Sequence, residues 1–524
     1  MMSMRNSNTY VMLLLATVFA LSACAEEEVS SAESYTLIRD EVQSASSIEN
    51  SLVHLADVYG PRLTGTPRYL EMVRWVEQQL SEWGIETVRV ESYGDGRRGW
   101  EVESFSAEMT SPVFASLDAQ PVCCGHSLDG EVSGVPLLVD FYDLDALQAL
   151  SGELQGKILL LPEVTSQADP NTGRWSDDRL RIAAERTNPI TPDGLDGPGS
   201  DVTYVERLKE RMAAGEDEGL TIALFLQEQG VAALLRSSAA PAGVVNNRFD
   251  SGMVEFHAAG DPQPVPMFVL PREQHGRLLS LLRVGASPTV SLGLQTRYYE
   301  DPALHVNVIA EIPGVDPNLK DEIVMLGAHL DSVETATGAA DNGIGSATSM
   351  EVLRVLQALD LKPRRTIRVA LWGGEEQGLL GSSAYVKRYI GDIMTGEYFG
   401  EHERISAYFN HDNNGHDIRG IFVVGHHAIK PVFQKIFAPF TEDGGGTVTI
   451  ENACCTDIVV FDATGIPSFE WIHDPGDYFT HQLHTNLDVP AFVSTKSANR
   501  NAAIIATAVY ETAMLDEMLS RKDQ

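Results

Sequence analysis

Between residues 300 and 515 short apolar runs alternate with amphipathic stretches. IVMLGAH, TIRVALWGG, ISAYFNHD, GIFVVGHH and PSFEWIH open on apolar runs too short for helices, as strands covered on both faces should. SATSMEVLRVLQAL and GSSAYVKRYI fall between them with helical spacing. Strands alternating with helices predict an α/β fold: a mostly parallel, mixed sheet sandwiched by helices. Further upstream Tyr69, Met72, Val73, Val76 and Leu80 recur at helical spacing, and ETVRVES alternates as a strand does.

From about 107 to 298 the texture changes. VPLLVDF, GKILLLP, VAALLRSS and VPMFVLP are separated by glycine, proline and polar loops. They predict a β-rich unit with a few helices, EQHGRLLSLLRVG among them. Residues 166–218 are so polar that a long excursion over the surface is expected. Residues 46–106 and 299–516 therefore read as two parts of one domain, interrupted by an insert over 107–298.

The first residues change the picture of where the protein works. One arginine, an apolar run from Tyr10 to Leu21 and then small residues have the layout of a secretory signal over 1–23. Leu21-Ser22-Ala23-Cys24 resembles a bacterial lipobox, so Cys24 is expected to carry lipid, with residues 24–45 as a polar tether. The expected location is exported and lipid-anchored, periplasmic or at the cell surface. A formal net charge of −36 should repel nucleic acid and anionic lipid surfaces, which leaves the lipid as the membrane contact. A homodimer is left open. Besides Cys24 there are two adjacent pairs, Cys123-Cys124 and Cys454-Cys455. Disulfides are expected in an oxidising compartment, with three pairings open. No CxxC spacing points to thiolate metal binding.

The polar residues at the ends of the strand-like runs carry the chemistry. IVMLGAHLDS ends in His329 and Asp331; GAADNGIG places Asp341 before a helix; WGGEEQGLLGS supplies Glu375 and Glu376. ISAYFNHD ends in Asp412, and DYFTHQLHTNLD holds His481 and His484. Ligands of open α/β sheets gather beyond the carboxyl ends of the strands, so these groups should converge. One such residue after a strand is usually a turn or cap residue. So many in one domain predict a zinc site, with manganese or cobalt as substitutes, and room for two ions. No GxSxG elbow, HExxH helix or GxxxxGK phosphate loop is present.

GAHLDSV, GAADNGIG, WGGEEQGLLGS, NHDNNG and HTNLDV resemble the motifs of the two-zinc exopeptidase family that includes bacterial leucyl aminopeptidases and carboxypeptidase Q. GPRLTGT and RRGWE lean towards the carboxypeptidase Q-like branch. The resemblance covers about 46–105 and 300–515, and the insert resembles a protease-associated domain. It implies a phosphorylase/hydrolase-like fold and a peptide substrate cut at its end, or a dipeptide. It also implies two zinc ions per chain: Asp341 bridging, His329 and Asp412 on one ion, Glu376 and His484 on the other. A hydroxide shared by the ions would attack the peptide carbonyl, with Glu375 as general base. Asp331 would orient His329, and Asp488 would do the same near His484. The resemblance leaves open whether the amino or the carboxyl end is cut. Thr456-Asp457-Ile458 departs from the Ser-Asp-His of many aminopeptidase relatives. A related amide hydrolase or cyclase, such as an aminoacylase or glutaminyl cyclase, and a non-catalytic receptor on the same fold are the alternatives.

Overall fold

The computed structural model describes residues 31–94, 97–141, 143–163, 173–187, 218–247, 263–412, 415–453 and 455–522. The signal, Cys24 and Cys454 lie outside them. Among the described residues no helix is long and apolar enough to cross a membrane.

Eight strands form the main sheet, in the order Thr87–Ser92, Val306–Ile312, Thr366–Trp372, Ile323–His329, Ile405–Asn410, Ser468–His473, Ile418–Phe422 and Thr447–Thr449. Its centre is parallel: Ile323–His329 pairs in parallel with both Thr366–Trp372 and Ile405–Asn410, and Ile405–Asn410 with Ser468–His473. Antiparallel pairings occur towards both margins. The central strands are buried along their whole length, so both faces must be covered by helices. Ile344–Ala358 and Thr495–Met514 pack against each other and against the Ile323–His329 strand on one face. Val352, Leu353, Leu356, Ile504, Ile505 and Val509 are fully buried there.

The helix foreseen around Tyr69 spans Pro67–Glu82, and all five of its periodic residues are buried. Thr66 caps it, its hydroxyl accepting from the Tyr69 amide at 3.1 Å. The expected polar tether is a different matter. Residues Ser31–Ala45 form a helix whose Tyr35, Ile38 and Val42 are buried against the core. These three positions make one helical stripe, which a reading by overall polarity overlooked.

The segment between the two parts of the main domain builds two sheets of its own. Gly99–Ser111 and Thr289–Tyr299 lie antiparallel at the heart of a four-stranded sheet, so the insert opens near Gly99 and closes near Tyr299 rather than at the expected 107 and 298. Ile158–Leu160, Ala233–Ser237 and Met267–Leu270 are parallel neighbours in a five-stranded one. The helix Arg272–Arg283 places Leu278 and Leu279 in the core between them. The polar excursion, where it is described, is not loose surface. Its helix Asp177–Glu185 buries Leu180 and Ala183, and the Ala183 carbonyl accepts from the Thr449 hydroxyl at 2.7 Å. Arg419 reaches Asp177 at 3.3 Å and Asp474 at 3.1 Å, pinning the excursion to the main domain.

Candidate metal centre

The parallel strands Ile323–His329, Thr366–Trp372 and Ile405–Asn410 run the same way, so their carboxyl ends all reach one edge of the sheet. His329 ends the first; Glu375 and Glu376 come after the second, past two glycines; Asp412 comes after the third. Gly374 has φ +73°, a left-handed turn that lets the chain reverse before the two acids.

Asp341 stands at the centre. Its Oδ1 lies 3.0 Å from His329 Nε2, which is also 3.2 Å from Asp412 Oδ1. Its Oδ2 lies 3.2 Å from His484 Nε2, which is 3.0 Å from Glu376 Oε2. One carboxylate thus divides its two oxygens between two His–carboxylate pairs. Each pair with Asp341 offers the nitrogen and oxygen donors that zinc-type ions take. His329, Asp341 and Glu376 bring ligand atoms within 4.8 Å of one another, and so do His329, Glu375 and Asp412.

Charge and burial argue that the cluster fits cations. Burial raises the Glu376 carboxyl to about 7, with Asp341 adding to the rise, and Glu376 Oε1 is buried without a hydrogen-bond partner. Burial pushes Glu375 well above the usual carboxylate range, and the charges of Asp412 and Glu376 push the same way. Burial alone would lower His329, yet Asp412, Asp331 and Asp341 around it hold it well above its ordinary value. For His484, Glu376 and Asp341 likewise outweigh burial. Four carboxylates around two imidazoles, largely out of water, form a negative pocket that bound cations would neutralise.

The surrounding residues hold this cluster in place. Asp331 lies with Oδ1 3.6 Å from His329 Nδ1, and its carbonyl is 3.1 Å from the same nitrogen. Its two carboxylate oxygens also accept from the amides of Glu375, at 3.1 Å, and Glu376, at 3.3 Å. It therefore fixes the histidine and the paired acids together. Asp488 was expected beside His484; instead it accepts from the amides of Ala340 and Asp341, the latter at 3.1 Å, and so holds the backbone of the central carboxylate. The physical reason is orphan amides: two buried N–H groups in the turn before the helix need acceptors. His481 lies away from the cluster, its Nδ1 2.8 Å from the Thr480 hydroxyl on an exposed stretch.

Sequence reasoning missed several supporting residues. Arg62 is fully buried, and its guanidinium donates to the carbonyls of Leu330 at 2.8 Å, Thr337 at 2.6 Å and Gly338 at 2.8 Å. It thereby ties the loop between His329 and Asp341. Its setting in GPRLTGT, a charge amid turn and small residues, was the available signal. Asp457, in the departing Thr-Asp-Ile stretch, is buried, accepts from the Ser382 hydroxyl and is raised to about 7 by burial. Arg97 of RRGWE donates to the Gln377 carbonyl at 2.9 Å, so that motif meets the loop of the paired glutamates. Cys123 and Cys124 are disulfide-bonded to each other. Cys455 is disulfide-bonded as well.

A sheet-edge cluster of this composition is a candidate centre for zinc-type ions. Residues 307–509 match the family model of Peptidase family M28. It is similar to carboxypeptidase Q of Mus musculus, 24% identical over 89% of this chain and 86% of the relative. It is also 29% identical to leupeptin-inactivating enzyme 1 of Streptomyces exfoliatus, over 41% of this chain and 50% of that one. The same fold recurs in a peptidase M28 precursor from Shewanella amazonensis, with TM-score 0.65, 22% identity and coverage of 94% and 98%. It recurs again in a zinc aminopeptidase from Bacillus subtilis, with TM-score 0.54, 18% identity and coverage of 90% and 96%.

Proposed function

We propose that the chain is a two-zinc exopeptidase that removes residues from peptide ends or splits dipeptides, with Glu375 as its general base. The observation that carries this reading is the division of Asp341 between the His329–Asp412 and His484–Glu376 pairs. Zinc would be held by these five side chains, and when bound it supplies charge that acidifies water and polarises the scissile carbonyl. Glu375, beside His329 and Asp412, is placed to take a proton from the attacking water and return it to the leaving amine. Asp331 keeps Glu375 in register through its amide, and Asp488 keeps Asp341 in place. A receptor on the same fold has no need of ligand-type residues; here all five positions carry them. The insert would act as a protease-associated lid over this edge.

The test is to measure bound metal, then hydrolysis of free-terminus and end-blocked peptides before and after chelation. Two equivalents of zinc, and activity on free-ended peptides lost with chelator and restored by zinc, support the reading. A preparation that binds zinc and hydrolyses no peptide refutes it. A mass-spectrometric digest of a mixed peptide pool then reads which end shortens.

A further inference from the structure

The helix Ser31–Ala45 packs along Thr495–Met514, and a contact at each end fixes its direction. Ser46, just past its end, donates to Asn499 at 2.8 Å, near the start of the longer helix. The Ser31 hydroxyl donates to Glu511 at 2.7 Å, near the longer helix's end, so the two run antiparallel. The longer helix crosses the main sheet from edge to edge. Near its start Asn501 donates to the carbonyl of His416, soon after Asp412, at 2.7 Å, which places this end at the edge of the metal centre. Near its finish the Ala513 carbonyl accepts from the Arg365 amide at 3.2 Å, and the Met514 carbonyl from the Arg364 guanidinium at 3.2 Å, just before the strand Thr366–Trp372 begins. Ser31 therefore shares the opposite edge with the amino ends of the parallel strands. The 15 residues of its helix span about 22 Å in that direction.

We propose that this edge, with Ser31, Glu511 and Asp516 on it, is the face turned to a phospholipid bilayer, and that the metal centre opens away from the lipid into the aqueous space. The proposal rests on the reading of Cys24 as lipidated and is independent of the exopeptidase reading. Chain length carries it. Cys24 precedes Ser31 by seven residues, which reach at most about 25 Å when fully extended. A compact chain of this length has a radius of gyration of about 23 Å, so its diameter exceeds twice that reach or nearly so. A leash so short cannot pass round the body and bring the opposite edge to the bilayer. A free tether over 24–45 would reach about 75 Å and let any face meet the lipid. Burial of Tyr35, Ile38 and Val42 is what shortens the leash and fixes where it leaves the body. Cations at this edge are paired with acids: Arg364 lies 3.1 Å from Asp316 and 2.8 Å from Asp516, and Arg365 lies 2.7 Å from Glu322. Such pairing lessens, at this face, the repulsion that a formal charge of −36 meets at anionic headgroups. Ligands of the metal centre then arrive from solution and not along the membrane.

The test uses the full chain, exported with its own signal, and begins with a mass measurement of the processed N-terminus. The protein is then reconstituted into phosphatidylcholine vesicles holding a trace of headgroup-labelled acceptor lipid. A donor dye is placed either on Asp516→Cys, at the proposed lipid-facing edge, or on His481→Cys, three residues before His484; both positions are exposed. Cys123, Cys124 and Cys455 are disulfide-bonded and do not compete for the dye. Energy transfer to the lipid should be at least about 2-fold more efficient from the Asp516→Cys dye, because a strand of seven residues alone separates the two edges by about 23 Å. Glu517→Cys and Asp477→Cys, also exposed, form a second pair should either first variant fail to fold. Equal transfer from the two edges, stronger transfer from the metal-centre edge, or a Cys24 that carries no lipid overturns the proposal. A chain that shows the expected ratio and hydrolyses no peptide refutes the exopeptidase reading and keeps the orientation.

Discussion

Glu375 and Glu376 are neighbours with different surroundings. Glu376 faces His484 at 3.0 Å, whereas Glu375 stands in the group of His329 and Asp412. Both amides are held by one carboxylate, Asp331, so the backbone between them is fixed and only the side chains diverge. Removing each should therefore have a different effect. Glu375→Gln should lower kcat by about 10²–10⁴-fold with metal content intact. Glu376→Ala should release one equivalent of metal, read by elemental analysis after dialysis. Equal metal loss from both would contradict the division of roles. Legibility in the sequence differed in the same way. His329, Asp341, Glu375, Glu376 and Asp412 stand next to strand-like runs or a turn, where position along the chain predicts position in space. Arg62 and Asp457 reach the site through contacts distant in sequence, and no local pattern announces those.

At the scale of elements, the loop carrying His484 depends on the insert. His484 has φ +55°, a left-handed conformation that a residue with a Cβ holds only when its surroundings impose it. Those surroundings are a short antiparallel pairing: Asn246 opposes Thr485, the Asn486 amide donates to the Val245 carbonyl at 3.0 Å, and Asn486 Oδ1 accepts from the Val245 amide at 2.8 Å. Asn486→Ala removes that acceptor and should weaken one of the two metal equivalents by about 10-fold, roughly the effect of losing an outer-shell partner, with the other unchanged. Calorimetric zinc titration reads this, and two unchanged equivalents would show that the pairing is decorative. The helix Ser31–Ala45 gives a second element-scale expectation. Ile38 is fully buried, so Ile38→Ala should cost about 2–5 kcal/mol in urea denaturation. A true tether would show no change.

For the whole molecule, the buried charges make stability, pH and metal inseparable. In the metal-free fold Glu376, Asp457 and Asp488 hold protons up to about pH 7, and His329 and His484 are raised as well. The unfolded chain releases its carboxyl protons near pH 4 and its histidine protons near 6.5. Through these groups the folded state binds more protons than the unfolded one between about pH 4 and 7, and their contribution to metal-free stability falls as pH rises through that range; Asp341, held well below the usual carboxylate range by His329 and His484, acts oppositely only below about pH 4. Zinc displaces protons from its ligands, so its affinity should rise over the same range. His473, pushed down to about 4 by burial, acts oppositely: the unfolded chain takes up its proton first as pH falls below 6.5. That destabilisation is common to both forms and cancels in their difference. The gap in Tm between zinc-loaded and chelated protein should therefore widen from pH 5 to pH 7.5. A constant or narrowing gap would contradict the assignment of the cluster.

The sequence by itself determined the alternation of strands and helices, the near-continuous burial of the central strands and the acids and histidines at their ends. Periodicity and strand-end position are local properties, and local patterns carry them. Only the tertiary structure decided that Asp341 divides its oxygens between two histidines, that Asp488 holds Asp341 instead of His484, and that the residues after Ala45 are preceded by a docked helix. Only it, too, joined the insert to the loop of His484, through Val245 and Asn246 against Thr485 and Asn486. Those outcomes depend on which buried donors and acceptors, hundreds of residues apart, find one another when the chain closes.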